Sequence, residues 1–364
     1  MRIMTDGIVR GGTTPRFLST VAFAVAVFVA MSANAEGTGP FGYPNLFLNP
    51  DFESATIAEN SNSGKWGYFE KGQILLENWT GYGQAGIAAS NDTTWRPVLP
   101  DSDKDNYRAF IQMAKDYATG ASWLAQTVTP ETTGLYAFTC QYATRHDYHR
   151  DGSRIGISVI CGVVTNELEE LVALTDDCRY RNVMRYVPLE AGKSYTFQLY
   201  GIAESEEEAN VDRTMIIGSC SLELLPAADR VVSMDYHLTG DEDWSAQTVA
   251  ISAGVKVHLD GHTLKIGYVR PGGNGDAPEF TDETESPGTV CVTVPDGETL
   301  PNPGWCVTGG ATLVKDGPGT LAWRGGTVAE ESPILVTNGL FRLDTWPMNV
   351  FGTAGTFTIK DKGQ

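Results

Sequence analysis

Between Asn45 and Leu225 the chain has no stretch that keeps a 3.6-residue apolar period, which excludes a helical bundle for this region. Cations are scarce. The 364 residues hold 26 Lys and Arg against 45 Asp and Glu, a formal charge of -19. A surface this acidic repels phosphate backbones, so nucleic acid is excluded as a partner. The six cysteines form no Cys-x-x-Cys pair, which argues against a zinc ribbon or a thioredoxin-type site. Gly-x-Ser-x-Gly, His-Glu-x-x-His and phosphate-loop patterns are missing too, and the glycines at Gly272, Gly273 and Gly275 lie in a Pro-rich stretch that reads as flexible turn. With 45 acids, pairs of carboxyls arise by chance, so no catalytic constellation is legible and the chain reads as non-enzymatic.

What is present is turn-rich and alternating. Forty glycines and 18 prolines punctuate short apolar runs, the composition of an all-β protein. Tyr136, Phe138, Cys140 and Tyr142 share one strand face, as do Ile155, Ile157, Val159, Cys161 and Val163 on the next; Tyr195, Phe197 and Leu199 continue the series. Residues 1–35 carry Arg2, Arg10 and Arg16, an apolar run from Val21 to Met31, and Ala33, Asn34 and Ala35 before Glu36. This is the plan of a cleaved export signal, with an apolar run too short for a membrane span. Export to the cell surface or the extracellular space follows as an expectation, with no membrane span in the mature chain. The texture changes at Pro226 to Asp229, which sets the expected domains: 1–35 signal peptide, 36–226 β-sandwich, 229–364 β-solenoid. After the seam, short strands closed by Gly or Asp-Gly suggest stacked coils, and 271–303 reads as an exposed loop.

The stretch from Asn45 to Glu53, the Trp at Trp79, Gln126 followed by Gly134 and Tyr136, and the strand end at Tyr142 to Arg145 resemble, in that order, the galactose-binding-like jelly rolls of carbohydrate-binding modules. Gly310, Leu313, Lys315, Gly317, Gly319, Thr320 and Leu321, followed by Ile334 to Leu343, resemble the autotransporter-associated β-strand repeat of bacterial surface proteins. These resemblances imply a jelly-roll sandwich followed by the start of a parallel β-solenoid, incomplete at Gln364, with a glycan or polysaccharide as ligand. The first also implies a structural calcium held by Asp51 and Glu53; no other cofactor is expected.

Sugar sites use aromatic faces beside oriented polar groups. Trp66, Tyr82 and Trp95 lie in loop-rich sequence beside Gln84, Asn91 and Asp92 and are the candidate ligand residues, with core packing as the alternative; Trp79 and Trp123 are expected in the core. His146, Asp147, His149 and Asp151, and the acidic run from Glu204 to Glu208, read as solvated surface. In an exported chain Cys291 and Cys306 are expected to pair across the Pro- and Gly-rich segment. Of the three pairings open to Cys140, Cys161, Cys178 and Cys220, Cys140 with Cys161 is preferred because both face inward on successive strands. The reading is an exported glycan-binding or adhesive sandwich on a solenoid stalk. The alternatives are the N-terminal part of a polysaccharide-degrading enzyme and a purely structural surface module.

Overall fold

A computed structural model describes residues 39–59, 65–89, 107–113, 122–145, 154–172, 180–202, 213–343 and 357–359. They contain strands and no helix, so no helix among them is long and apolar enough to cross a membrane. The protein is all-β, a jelly-roll sandwich followed by a parallel β-solenoid of about five turns. The expected signal segment, Trp95, Cys178, His146 to Asp151 and Glu204 to Glu208 lie outside the described residues.

The sandwich strands in chain order are β1 (Ala55–Ile57), β2 (Trp66–Tyr68), β3 (Ile74–Leu76), β4 (Thr80–Tyr82), β5 (Ala85–Ala88), β6 (Arg108–Met113), β7 (Trp123–Val128), β8 (Gly134–Thr144), β9 (Arg154–Cys161), β10 (Val164–Val172), β11 (Arg181–Leu189), β12 (Tyr195–Gly201) and β13 (Arg213–Leu224). One antiparallel sheet runs β10, β9, β12, β7, β4; the other runs β11, β8, β13, β6, β5, β2, and β1 pairs with β3. The two-residue alternation read from the sequence sets the inner faces. Tyr195, Phe197 and Leu199 of one sheet are buried against Phe138, Cys140 and Leu222 of the other. Phe47 enters between them, its ring centroid 5.3 Å from Phe197 and 6.0 Å from Phe138. Trp79 is buried as expected, and its indole N–H donates to Leu48 O (3.1 Å) and Asn49 O (3.0 Å), which removes the penalty of burying that donor.

The solenoid strands are β14 (Arg230–Val232), β15 (Tyr236–His237), β16 (Glu242–Trp244), β17 (Val249–Ile251), β18 (Lys256–His258), β19 (Thr263–Ile266), β20 (Val269–Pro271), β21 (Glu279–Thr281), β22 (Thr289–Thr293), β23 (Thr299–Pro303), β24 (Cys306–Thr308), β25 (Thr312–Asp316), β26 (Thr320–Gly325), β27 (Ile334–Val336), β28 (Leu340–Leu343) and β29 (Phe357–Ile359). Every pairing among them is parallel, each coil laying three short strands on those of the coil before. Like side chains therefore stack inside: Leu264, Val290, Leu313 and Ile334 form one column, and Phe280, Trp305 and Trp323 make edge-to-face contacts at 5.2 and 4.8 Å. Residues 271–303 are not a loop thrown out from the stack. They contribute β21, β22 and β23, because Phe280, Val290 and Val292 fill the same columns as their neighbours.

The repeat-like residues have mechanical roles. The Lys315 ammonium is buried and donates to Asp316 O, Gly317 O (both 2.7 Å) and Asn338 O (3.1 Å), so its three protons pin two consecutive turns. Gly317 has φ +77°, and a Cβ there would stand 2.4 Å from Val294 O, so only glycine lets the coils close at this corner.

Sandwich and solenoid belong to one compact unit, Glu36–Gln364. Strand β11 is a sheet edge, and the Asn274 side chain occupies it like one residue of a neighbouring strand. Tyr186 N donates to Asn274 Oδ1 (2.6 Å), and Asn274 Nδ2 donates to Tyr186 O (2.8 Å). Tyr186 OH donates to Pro303 O at 2.7 Å, and Arg270 Nε donates to Pro226 O at 3.0 Å. Burial pushes the Tyr186 phenol far above its ordinary pKa and keeps it a neutral donor.

Candidate ligand-binding face

The outer face of the five-stranded sheet carries a row of aromatic side chains across its strands. Leu124, Gln126 and Val128 of β7 point inward, so Trp123, Ala125 and Thr127 point out; on β12, Thr196, Gln198 and Tyr200 do the same. The register then sets Tyr82 beside Trp123, Trp123 beside Tyr200, and Tyr200 beside Gly156. Neighbouring strands are ~4.8 Å apart, so Tyr82 and Tyr200 stand ~10 Å from each other across the sheet. Tyr82 is 55 % exposed, and its ring lies 6.3 Å from that of Trp123 at an interplanar angle of 24°. Trp123 is thus half-buried on an outer face and is not a core residue, contrary to the sequence expectation. Its alternation partner Leu124 took the inward position.

Relief comes from small residues beside the rings. A Cβ on Gly156 would fall 2.2 Å from Tyr200 Cζ, which shows that the phenol ring lies across this glycine. In the next row the buried Ala125 and Ser158 flank Gln198, whose half-buried amide lies beside the aromatic row. At the β10 edge, Tyr200 OH donates to Glu167 Oε2 at 2.7 Å, and Glu170 pairs with Arg154. Partial burial, reinforced by Glu167, pushes the Tyr200 phenol up to about 12. It therefore stays protonated and oriented at any physiological pH.

The other candidates are scattered. Trp66 lies on the opposite side of the sandwich, on β2 of the six-stranded sheet, where it meets Tyr68 edge to face at 5.3 Å and packs on Phe110, Tyr180 and Ile216. Asp51 and Glu53 sit in the turn before β1, where Glu53 N reaches Asp51 Oδ1 at 3.5 Å. The turn itself is tied by the Asn49 amide, which donates to Ser54 O (3.3 Å) and Glu77 O (3.2 Å) and accepts from Ser54 N (2.9 Å). Among the described residues no three His, Cys, Asp or Glu side chains gather as metal ligands.

The register also revises the cysteine expectations. Cys291 and Cys306 are free and belong to different sheets of the solenoid, beside Lys265 and Glu279 respectively; Cys291 is half-buried, and Cys306 is buried with its Sγ accepting from Thr327 N at 3.2 Å. Cys140 and Cys161 are also free and belong to opposite sheets; across from Cys140 stand Val183 on β11 and Cys220 on β13. Of the residues of the exposed row, the sequence singled out Tyr82 alone. The signal for Trp123 and Tyr200 was their phase: each alternates with buried aliphatics at Leu124 and Leu199.

No known protein family's sequence profile matches the chain, and no curated protein matches it. Solved structures do. A carbohydrate-binding module, TmCBM61, in complex with β-1,4-galactotriose is 15% identical, covers 50% of this chain and 99% of its own length, and has a TM-score of 0.29. The CBM22-1 xylan-binding domain from Paenibacillus barcinonensis Xyn10C is 8% identical over 49% of this chain and 97% of its own, with a TM-score of 0.29. A Stig cyclase from Fischerella sp. TAU is 12% identical over 50% of this chain and 98% of its own, with a TM-score of 0.35. They are what the sandwich is similar to; none of them assigns this chain a function.

Proposed function

We propose that this is an exported, non-enzymatic glycan-binding protein in which the Tyr82, Trp123 and Tyr200 row receives a neutral polysaccharide chain and the solenoid serves as its stalk. The observation that carries the reading is the row itself: three aromatic rings in register on adjacent strands, one of them more than half exposed. C–H faces of pyranose rings stack on such rings, while sugar hydroxyls pair with the Gln198 amide beside the row. The net charge and the Glu167 edge disfavour uronic-acid polymers. Glu167 and Glu170, at the β10 edge, are engaged by Tyr200 and Arg154, which supports binding without hydrolysis, since a glycosidase needs a free acid and a free base flanking its bond.

The test is retention on immobilised neutral polysaccharides (galactan, xylan, glucan, mannan) and on polyuronates. Wild type is expected to be retained on at least one neutral polymer and to release no reducing sugar, and the double variant Tyr82→Ala with Trp123→Ala is expected to be folded and unretained. Retention undiminished in that variant, or binding confined to polyuronates, would overturn the assignment.

A further inference from the structure

We propose that Cys140 and Cys220 become joined by a cross-strand disulfide when the chain folds in the presence of a disulfide oxidant. The two residues are direct partners in the antiparallel ladder of β8 and β13, in register as Cys220 against Cys140, and both are buried on the inner face. The kind of pair is set by where the backbone of β13 turns its donors. Cys220 N donates away from β8, to Pro50 O at 2.8 Å, and Leu222 N, two positions on, likewise donates to Asn45 Oδ1 at 2.9 Å. Leu222 O accepts from Leu46 N on that same side. The segment from Asn45 to Pro50 therefore takes the hydrogen bonds of the even positions of β13, and Cys140 and Cys220 form a non-hydrogen-bonded pair.

In that kind of pair the Cα atoms approach to ~4.5 Å, with side chains closer than in hydrogen-bonded pairs, and a disulfide spans Cα separations of roughly 4.4 to 6.8 Å. Both side chains are packed in the same buried cluster between the sheets. The other cysteines of the described residues are placed less well: Cys161 belongs to the facing sheet, and Cys291 and Cys306 belong to two different sheets of the solenoid.

The chemistry balances with a small-molecule disulfide such as glutathione disulfide. One cysteine thiolate attacks a glutathione sulfur and expels one glutathione thiolate. The second cysteine thiolate then attacks the mixed disulfide and expels the other. The protein loses two hydrogens, and the oxidant is reduced to two thiols. Burial pushes the Cys220 thiol well above its ordinary pKa, so little thiolate exists once the sandwich has closed, and the bond forms during folding.

The test is to refold the reduced, denatured full chain in a mixture of glutathione and glutathione disulfide, alkylate remaining thiols in denaturant, and map the peptides without reduction. The expected result is a Cys140 peptide linked to a Cys220 peptide, with Cys291 and Cys306 alkylated; a Cys161→Ser variant gives the same link. Oxidation of protein that was folded beforehand in the reduced state is expected to run at least roughly tenfold slower, because burial leaves little thiolate to attack the oxidant. Alkylation of both Cys140 and Cys220 after oxidative refolding would overturn the proposal, as would a link from either one to Cys161 or Cys178.

Discussion

On the six-stranded sheet, Trp66, Tyr68, Phe110 and Tyr180 close over one another, with the Arg108 guanidinium 6.0 Å from the Tyr180 ring and Tyr68 OH donating to Gln112 Oε1 at 2.6 Å. On the five-stranded sheet, Tyr82, Trp123 and Tyr200 stand in a row on the outer face, Tyr82 exposed and the other two half-buried. Both outer faces have aromatic rings beside amides and hydroxyls, so residue type does not tell them apart. Exposure does. Phe110 is fully buried, whereas Tyr82 is more than half exposed. Rings that already bury each other contribute stability and have little left to offer a ligand, while a ring that stays exposed at the end of a row keeps that surface available.

The contrast predicts opposite outcomes for equivalent truncations. The largest effect belongs to Phe110→Ala, which is expected to cost about 3 to 5 kcal/mol of stability in chemical denaturation; below its own transition it should leave glycan retention intact. Reducing the Cys140 to Cys220 link should lower the unfolding free energy by about 4 kcal/mol, again without changing binding, because the link braces the six-stranded sheet alone. Trp123→Ala reverses the pattern: a stability change of about 1 kcal/mol, with affinity for the retained polysaccharide down by roughly tenfold or more in titration calorimetry. If Trp123→Ala unfolds the domain and spares binding, the two faces have been assigned the wrong way round.

Smaller effects sharpen the same comparison. Gly156→Ala should displace the Tyr200 ring and weaken binding by about threefold, the worth of one displaced aromatic contact, with the sandwich still folded by circular dichroism. The smallest is alkaline. Because the Tyr200 phenol is held up to about 12, its contribution to stability is complete below the unfolded value of 10.0 and is lost as pH rises from there through about 12. Tyr43 and Tyr136, also raised to about 12, add to the same loss. Tyr200→Phe should therefore lose stability less steeply than wild type between pH 10 and 12, and identical slopes would show that burial and Glu167 do not raise the phenol in the folded chain.

Alternation made the strands legible one by one: Tyr136, Phe138 and Cys140 face inward as their spacing demands, and so do Tyr195, Phe197 and Leu199. The solenoid was legible from its short, Gly-closed strands, but 271–303 was misread. Its Gly, Pro and acidic residues resemble a loop, while the apolar residues that join the columns, such as Phe280 and Val290, are isolated in sequence. The aromatic site was legible only in part. Trp66 and Tyr82 are near neighbours in the chain and look alike in composition, yet β2 and β4 belong to different sheets and carry them to opposite sides of the sandwich.

The sequence by itself determined the period-two pattern, the stacking corners at Gly317 and Lys315, and hence an all-β chain with a parallel stack at its C-terminal part, because these depend on side-chain alternation and local backbone freedom. Only the tertiary structure decided which aromatic rings share a face and which cysteine stands across from Cys140. Those outcomes depend on strand order and register between segments far apart in sequence, which alternation along a single strand does not encode.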